Sequence, residues 1–276
     1  MSRRQSWDSL PEDVVAAVRE HTGSIDRAES VSSGFSSQIA VMVDGARGRF
    51  FVKGMRTDHA EAWTQQREWA INPYVVPLGP RALWRTVVGG WDLVGFEHLA
   101  GRSAGYGPGS ADLPLVVEAL TALGQLGCPE VEPGDAVERW GAYLDDPAEA
   151  ELFGGGALLH TDWNPSNVLV TGLATGPDTA RLVDWPWATR GAGWIDPACW
   201  IVWLVFSGHA VHEAEQWAAK VPVWSTASDR ALDLFATAHA NYWRRTADDH
   251  PNAWTFGLRD AAVRWAGYRM GKPSLA

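Results

Sequence analysis

The stretch His160-Thr161-Asp162-Trp163-Asn164-Pro165-Ser166-Asn167 leads into Val168-Leu169-Val170 and, after a turn, Ala180-Arg181-Leu182-Val183-Asp184-Trp185. It sets out a carboxylate, an amide five positions on, an apolar strand and a second apolar strand that ends in a carboxylate. A hydroxyl that attacks phosphorus needs a carboxylate to orient it and take its proton, and Asp162 is of that type. Magnesium is a hard ion that takes one or two protein oxygens and completes its shell with substrate phosphates, which suits the Asn167 amide oxygen and the Asp184 carboxylate. The three oxygen donors would converge on one terminal phosphate.

Loops rich in Asp, Asn, Pro and Ser are common because these side chains bond nearby backbone, so no single residue here is diagnostic. The combination H-x-D-x-x-P-x-N, then V-L-V, then R-L-V-D-W is much harder to reach by chance. At these residues the sequence resembles the aminoglycoside phosphotransferase and choline kinase branch of the protein-kinase-like enzymes, whose usual pattern is H-G-D-x-H-x-x-N, a strand and D-[WF]. The resemblance implies magnesium-dependent transfer of the γ-phosphoryl group of ATP, or of GTP, to a hydroxyl of a small acceptor. It makes Asp162 the catalytic carboxylate and Asn167 and Asp184 the metal ligands. Thr161 stands at the usual Gly position and Asn164 at that of the second His, and Thr161 crowds a turn where Gly tolerates more backbone angles.

The elements that must position these groups follow in order. Ser9-Leu10-Pro11-Glu12 reads as a helix start with an N-cap Ser, and Gly23 as the helix end. Short strands follow, and between two of them Ser30 to Gln38 occupies the place of a loop that covers nucleotide phosphates. Ser33, Gly34 and Ser36 would let backbone N–H groups approach phosphate there. In the next strand Lys53, flanked by Phe51 and Val52, stands where a kinase keeps the Lys that pairs with the α and β phosphates. A helix from about Asp58 to Ala70 offers Glu68, in preference to Glu61, as the carboxylate that holds Lys53, because Trp69 and the segment after it turn that end inward. Strands over Ala82 to Val88 and Asp92 to Glu97 complete a five-stranded lobe, and the segment from Glu97 to Leu99 is the expected hinge that bonds the adenine edge.

Helical periodicity then takes over, at Leu113 to Leu126, Ala136 to Leu152, Ala198 to Phe206, Ala210 to Ala219, Ser228 to Arg245 and Trp254 to Tyr268. The expected fold is α+β and bilobal, a protein-kinase-like fold with a five-stranded antiparallel nucleotide-binding lobe over residues 1–98 and a mainly helical lobe over 99–276 that carries the catalytic loop and acceptor site. Asp196 before Pro197 is expected to cap a buried helix.

With 276 residues and 46% hydrophobic content the chain can bury real cores. No apolar run reaches the length of a membrane span, and Met-Ser-Arg-Arg-Gln lacks a signal-peptide core, so a cytoplasmic protein without membrane contact is expected. The formal charge of −10 is uneven: residues 1–99 carry −1 and the remainder −9. That argues against nucleic acid as a partner and would attract a cationic acceptor such as an amino sugar or a basic peptide. The resemblance implies a small hydroxylated amine such as an aminoglycoside or amino alcohol, with a peptide or partner protein as the other candidate. A kinase-like module without turnover is a third reading, motivated by Thr161 and Asn164. The chain has 17 Trp, several near the motif, of which one or two could wall the acceptor.

Overall fold

The computed structural model describes residues 4–31, 37–76, 78–131, 133–172 and 177–271. Two units divide the chain: Met1–Gly101 with Arg181–Pro186, and Arg102–Ala180 with Trp187–Ala276. The first is built on an antiparallel sheet of β1 (Ile25–Ser30), β2 (Ile39–Gly45), β3 (Gly48–Arg56), β4 (Ala82–Val88) and β5 (Trp91–Glu97) in the order β1-β2-β3-β5-β4.

Alternation along β3 sends Phe50 and Val52 to one face and Lys53 to the other. On the first face they meet Val14 and Val18 of helix α1 (Glu12–Thr22) together with Ile39, Val41, Val43, Trp84, Trp91 and Leu93. Each fully buried Val or Leu there contributes about 1.5–3 kcal/mol relative to exposure. The start of α1 differs from expectation. Ser9 closes a short 3-10 turn, and Pro11, which has no N–H to satisfy, takes the N-cap position. Gly95 of β5 is required by close approach: an added Cβ would lie 2.1 Å from the Trp84 indole that covers it.

The opposite face is the side of Lys53, Val94 and Phe96. Helix α2 (Ala62–Val75) buries Thr64, Gln65, Glu68, Ile71, Asn72 and Val75. It begins four residues later than the sequence suggests and runs five further, through Pro73. The Asn72 side chain donates to the Pro80 carbonyl and accepts from Ala82 N–H, which ties the helix end to β4.

In the second unit helix α3 (Leu113–Leu123) is followed by α4 (Ala136–Gly141), a 3-10 stretch over Pro147–Phe153, α5 (Ile195–Phe206), α6 (Val211–Ala218), α7 (Asp229–Asp249) and α8 (Ala253–Arg269). The single helix expected from Ala136 to Leu152 is broken. Pro147 cannot continue it, and Asp146 starts a new turn by accepting from Ala148 N–H. Helix α5 is apolar on every side and buried from Ile195 to Val205, packed against α6, α7 and α8. Ser228 caps α7, and Asn252 with Thr255 forms a capping box on α8.

Short strands finish the frame: β6 (Arg102–Ser103), β7 (Gly134–Asp135), β8 (Ala157–Leu159), β9 (Val168–Thr171), β10 (Thr179–Leu182) and β11 (Thr189–Gly191). β11 pairs antiparallel with β8 and parallel with β7. The His160 to Asn167 loop is thus strung between the end of β8 and the start of β9. Among the described residues no helix is long and apolar enough to cross a membrane.

Candidate active site

In the first unit Lys53 is buried on β3, and its ammonium donates to both oxygens of Glu68 at 2.8 Å and to Asp184 Oδ1 at 2.7 Å. Glu68 Oε1 also accepts the Trp185 N–H at 3.1 Å. Glu61 is exposed and stands at the N-cap of α2. Burial works against the Lys53 charge, but Asp184 and Glu68 outweigh it and hold its pKa above the ordinary value. Burial raises the Glu68 carboxyl, with Lys53 opposing. Asp184 itself adopts φ 67°, a left-handed conformation that Asp tolerates better than most residues. With one ammonium and two carboxylates the cluster carries a negative excess, so its donor set fits a hard cation whose shell substrate oxygens complete. Among the described residues no group of three His, Cys, Asp or Glu side chains forms a metal site of its own.

Sequence reasoning missed Arg4. Its guanidinium donates to the carbonyls of Val31 and Ser37, the two flanks of the Ser-rich connection, within electrostatic range of Asp184. Ser33, Gly34 and Ser36 lie outside the described residues. Glu97 ends β5 with its N–H donated to Arg81 O and its carboxylate accepting Arg81 N–H, both at 2.9 Å. Leu99, in the irregular segment after it, is half-buried and makes no backbone bond among the described residues.

In the second unit the motif loop is fixed by a carboxylate far along the chain. Asp196 accepts the His160 N–H at 2.9 Å, the Thr161 N–H at 2.8 Å and the Trp163 Nε1–H at 2.9 Å. It does not cap α5, whose first turn it occupies; its side chain is spent on the loop instead. Burial lifts its carboxyl to about 6 despite the bonds from Trp163, His160 and Thr161 and the field of Arg139. Within the loop Asn164 Oδ1 accepts from Ser166 N–H and Oγ–H, both at 3.0 Å, so this departure from the resembled pattern builds the turn that Pro165 begins. Asn167 donates its amide to the Asp162 carbonyl at 3.3 Å, which aims its oxygen the other way. Asp162 is half-buried.

Thr161 holds φ 67°, a strained value for a β-branched residue. Its hydroxyl donates to Trp187 O at 3.0 Å and accepts from Arg139 Nη1 at 2.8 Å. The four motif tryptophans differ: Trp163, Trp185 and Trp194 are core, while Trp187 is partly exposed and faces the Arg139 guanidinium, 5.4 Å from its ring.

A five-stranded antiparallel unit with a buried Lys–Glu pair and a helical unit that carries an Asp–Asn loop define the protein-kinase-like fold. Solved structures share it over nearly the whole chain. Choline kinase LicA from Streptococcus pneumoniae aligns with a TM-score of 0.62 and 10% identity, over 92% of this chain and 98% of that one. A putative aminoglycoside phosphotransferase from Ralstonia eutropha gives 0.59 and 12% over 94% and 98%, and aminoglycoside phosphotransferase APH(4)-Ia gives 0.57 and 16% over 91% and 98%. LicA has been crystallised with AMP, and APH(4)-Ia with ADP and hygromycin B. No protein-family model matches the sequence, and no curated protein does either. At these identities the likeness is one of fold.

Proposed function

We propose that the chain catalyses transfer of the γ-phosphoryl group of ATP, or of GTP, to a hydroxyl of a small molecule. The observation that carries this reading is the buried Lys53, shared between Glu68 and Asp184: a core seldom keeps such a charge cluster unless it handles a charged ligand. Nucleotide handling is assigned to residues 1–98, and the catalytic loop and acceptor site to 99–276.

In this reading Lys53 offers its charge to the α and β phosphates while Glu68 keeps it aimed. Ser33, Gly34 and Ser36 cover the phosphates, and the Glu97 carbonyl and Leu99 N–H meet the adenine edge. Asn167 and Asp184 would hold magnesium, which would supply neutralisation of the charge on the transferred group. Asp162 orients the acceptor hydroxyl and takes its proton as the new oxygen–phosphorus bond forms. The bond from the γ phosphorus to the bridging oxygen breaks, and nucleoside diphosphate leaves. Catalysis is positioning and charge stabilisation. The hygromycin B bound to APH(4)-Ia supports a small hydroxylated acceptor, and the acidity of residues 100–276 adds only a long-range, salt-screened pull on cations. Use of ATP favours the cytoplasm, where that nucleotide is abundant.

The test is nucleotide consumption by the purified chain with Mg-ATP and Mg-GTP, alone and with aminoglycosides, amino alcohols, hydroxy acids and basic peptides, read with product masses. A gain of one phosphate on a panel member is the expected result. The absence of both turnover and Mg-nucleotide binding would overturn the reading.

A further inference from the structure

Arg139 lies on α4, and three of its hydrogen bonds leave from one nitrogen. Nη1 donates to Thr161 Oγ1 at 2.8 Å, to Thr189 Oγ1 at 3.2 Å and to Trp187 O at 3.4 Å. The guanidinium carbon lies 4.8 Å from the Trp140 ring and 5.4 Å from that of Trp187. Among the described residues no acceptor bonds Nε or Nη2, and Arg139 is only half-buried. A strut that merely tied down the Trp187 carbonyl would need Nη1 alone. The group is instead anchored at one corner, placed beside two indoles and left with its other edge unmatched.

Two further observations point the same way. Thr161, the residue next to Asp162, keeps a left-handed backbone at φ 67°, and its hydroxyl is what bonds Arg139. Strain of that kind persists where the surroundings fix it, and it gathers at ligand sites. His239 on α7 is buried, and its Nε2 accepts from Trp243 Nε1 at 3.1 Å, which leaves the proton on Nδ1. Among the described residues that Nδ1–H meets no acceptor. Its ring is pushed down to about 3 by burial and by the Arg139 charge, which puts the two groups within each other's field. Tyr242, three residues on, feels both Arg139 and Asp162. The unmatched N–H groups of Arg139 and His239 thus lie within each other's field.

We propose that Arg139 binds the acceptor, and that the acceptor is a hydroxylated molecule bearing a carboxylate, received by the Nε and Nη2 edge of the guanidinium with Trp187 beside it. The inference rests on the phosphotransferase reading above and names the substrate class of that site. A planar fork with two parallel N–H bonds matches a carboxylate and repels an ammonium. The acidic total of residues 100–276 is spread over a surface where salt screens charges beyond about 8 Å, so the fixed local cation decides what sits next to it.

The experiment uses pairs with the same carbon skeleton that end in a carboxylate in one member and an ammonium in the other: gluconate with glucamine, 3-hydroxypropanoate with 3-aminopropanol, and 4-hydroxyphenylacetate with tyramine. Each is titrated calorimetrically into the full chain and assayed with Mg-ATP. In at least one pair the carboxylate is expected to bind more tightly and to gain one phosphate. Arg139→Gln is expected to raise its Kd and KM about 10- to 100-fold, the range for one charge-assisted pair, with a smaller change in kcat. Arg139→Lys restores part of this, because an ammonium lacks the fork. Thr161→Gly, which frees the strained position and removes the hydroxyl anchor, weakens carboxylate binding severalfold without lowering the melting temperature, so a folding defect in Arg139→Gln would not obscure the result. Tighter binding of the amine in every pair, no carboxylate bound at millimolar concentration, or unchanged carboxylate affinity in both Arg139→Gln and Thr161→Gly would overturn the proposal. Carboxylate binding that depends on Arg139 without any binding of Mg-nucleotide would uphold the Arg139 site and overturn the phosphotransfer reading alone.

Discussion

Lys53 Nζ stands 2.8 Å from each carboxylate oxygen of Glu68, on a helix packed against the strand that carries it. Lys53→Met would leave Glu68 and Asp184 facing each other without that cation. The expected cost is about 3–5 kcal/mol, the usual range when one partner of a buried pair is removed, read as a fall in the urea midpoint. Glu68→Gln keeps the shape and an acceptor oxygen and should lose less. A Lys53→Met midpoint equal to that of the wild type would mean that the cluster does not contribute to holding α2 on the sheet.

Asp162 and Asp184 should separate cleanly. Asp162→Asn is expected to lower phosphoryl transfer by about 10²–10⁴ while Mg-nucleotide affinity stays, as for loss of a general base. Asp184→Ala is expected to lose that affinity. Wild-type turnover in the first variant would remove the role given to Asp162, and an unchanged binding isotherm in the second would remove the metal assignment.

Thr161 sets strain against hydrogen bonds. Thr161→Ala keeps φ 67° and loses the bonds to Trp187 and Arg139, a destabilisation of about 1–2 kcal/mol. Thr161→Gly loses the same bonds but relieves about 1–2 kcal/mol of backbone strain, so it should melt above Thr161→Ala. The reverse order of melting temperatures would show that position 161 bears no strain.

Asp196 makes stability depend on pH with a definite sign. Its carboxyl is raised from 3.8 to about 6 in the folded chain. Between those values the folded state holds a proton that the unfolded state has lost. Its contribution is therefore full below the unfolded value and disappears as pH rises through about 6, a span of roughly 3 kcal/mol. Urea unfolding of wild type and Asp196→Asn at pH 3.5, 5 and 7 should show this falling limb in the wild type alone. Parallel curves would assign the titration elsewhere.

Much of this frame was legible from residue types. The Gly89-Gly90 turn joins Val88 to Trp91 and sets the register of β4 on β5, whereas the turn expected at Asp44-Gly45 falls two residues later, at Ala46-Arg47, because β2 continues through Gly45 to pair with Gly48. The unbroken apolar run after Pro197 could only be a buried helix. The pairing of Lys53 with Glu68 followed from which end of α2 carries the apolar residues. Long-range ties were not legible. Asp196 before Pro197 looks like a cap, and nothing local says that its oxygens reach back 36 residues to His160. Arg139 sits on a short helix among polar neighbours, 22 residues from the threonine it bonds. The signal available was Thr161 itself: a β-branched residue where the resembled pattern has Gly must take an unfavourable backbone angle, and something nearby must hold it there.

Asp196 belongs to a helix enclosed on all sides, and it grips the amides of His160 and Thr161. Those two hydrogens can reach solvent only when that helix gives way. On the clock of deuterium labelling, the loop that carries Asp162 therefore ages with the core, orders of magnitude more slowly than a stretch of Asp, Asn, Pro and Ser on a surface.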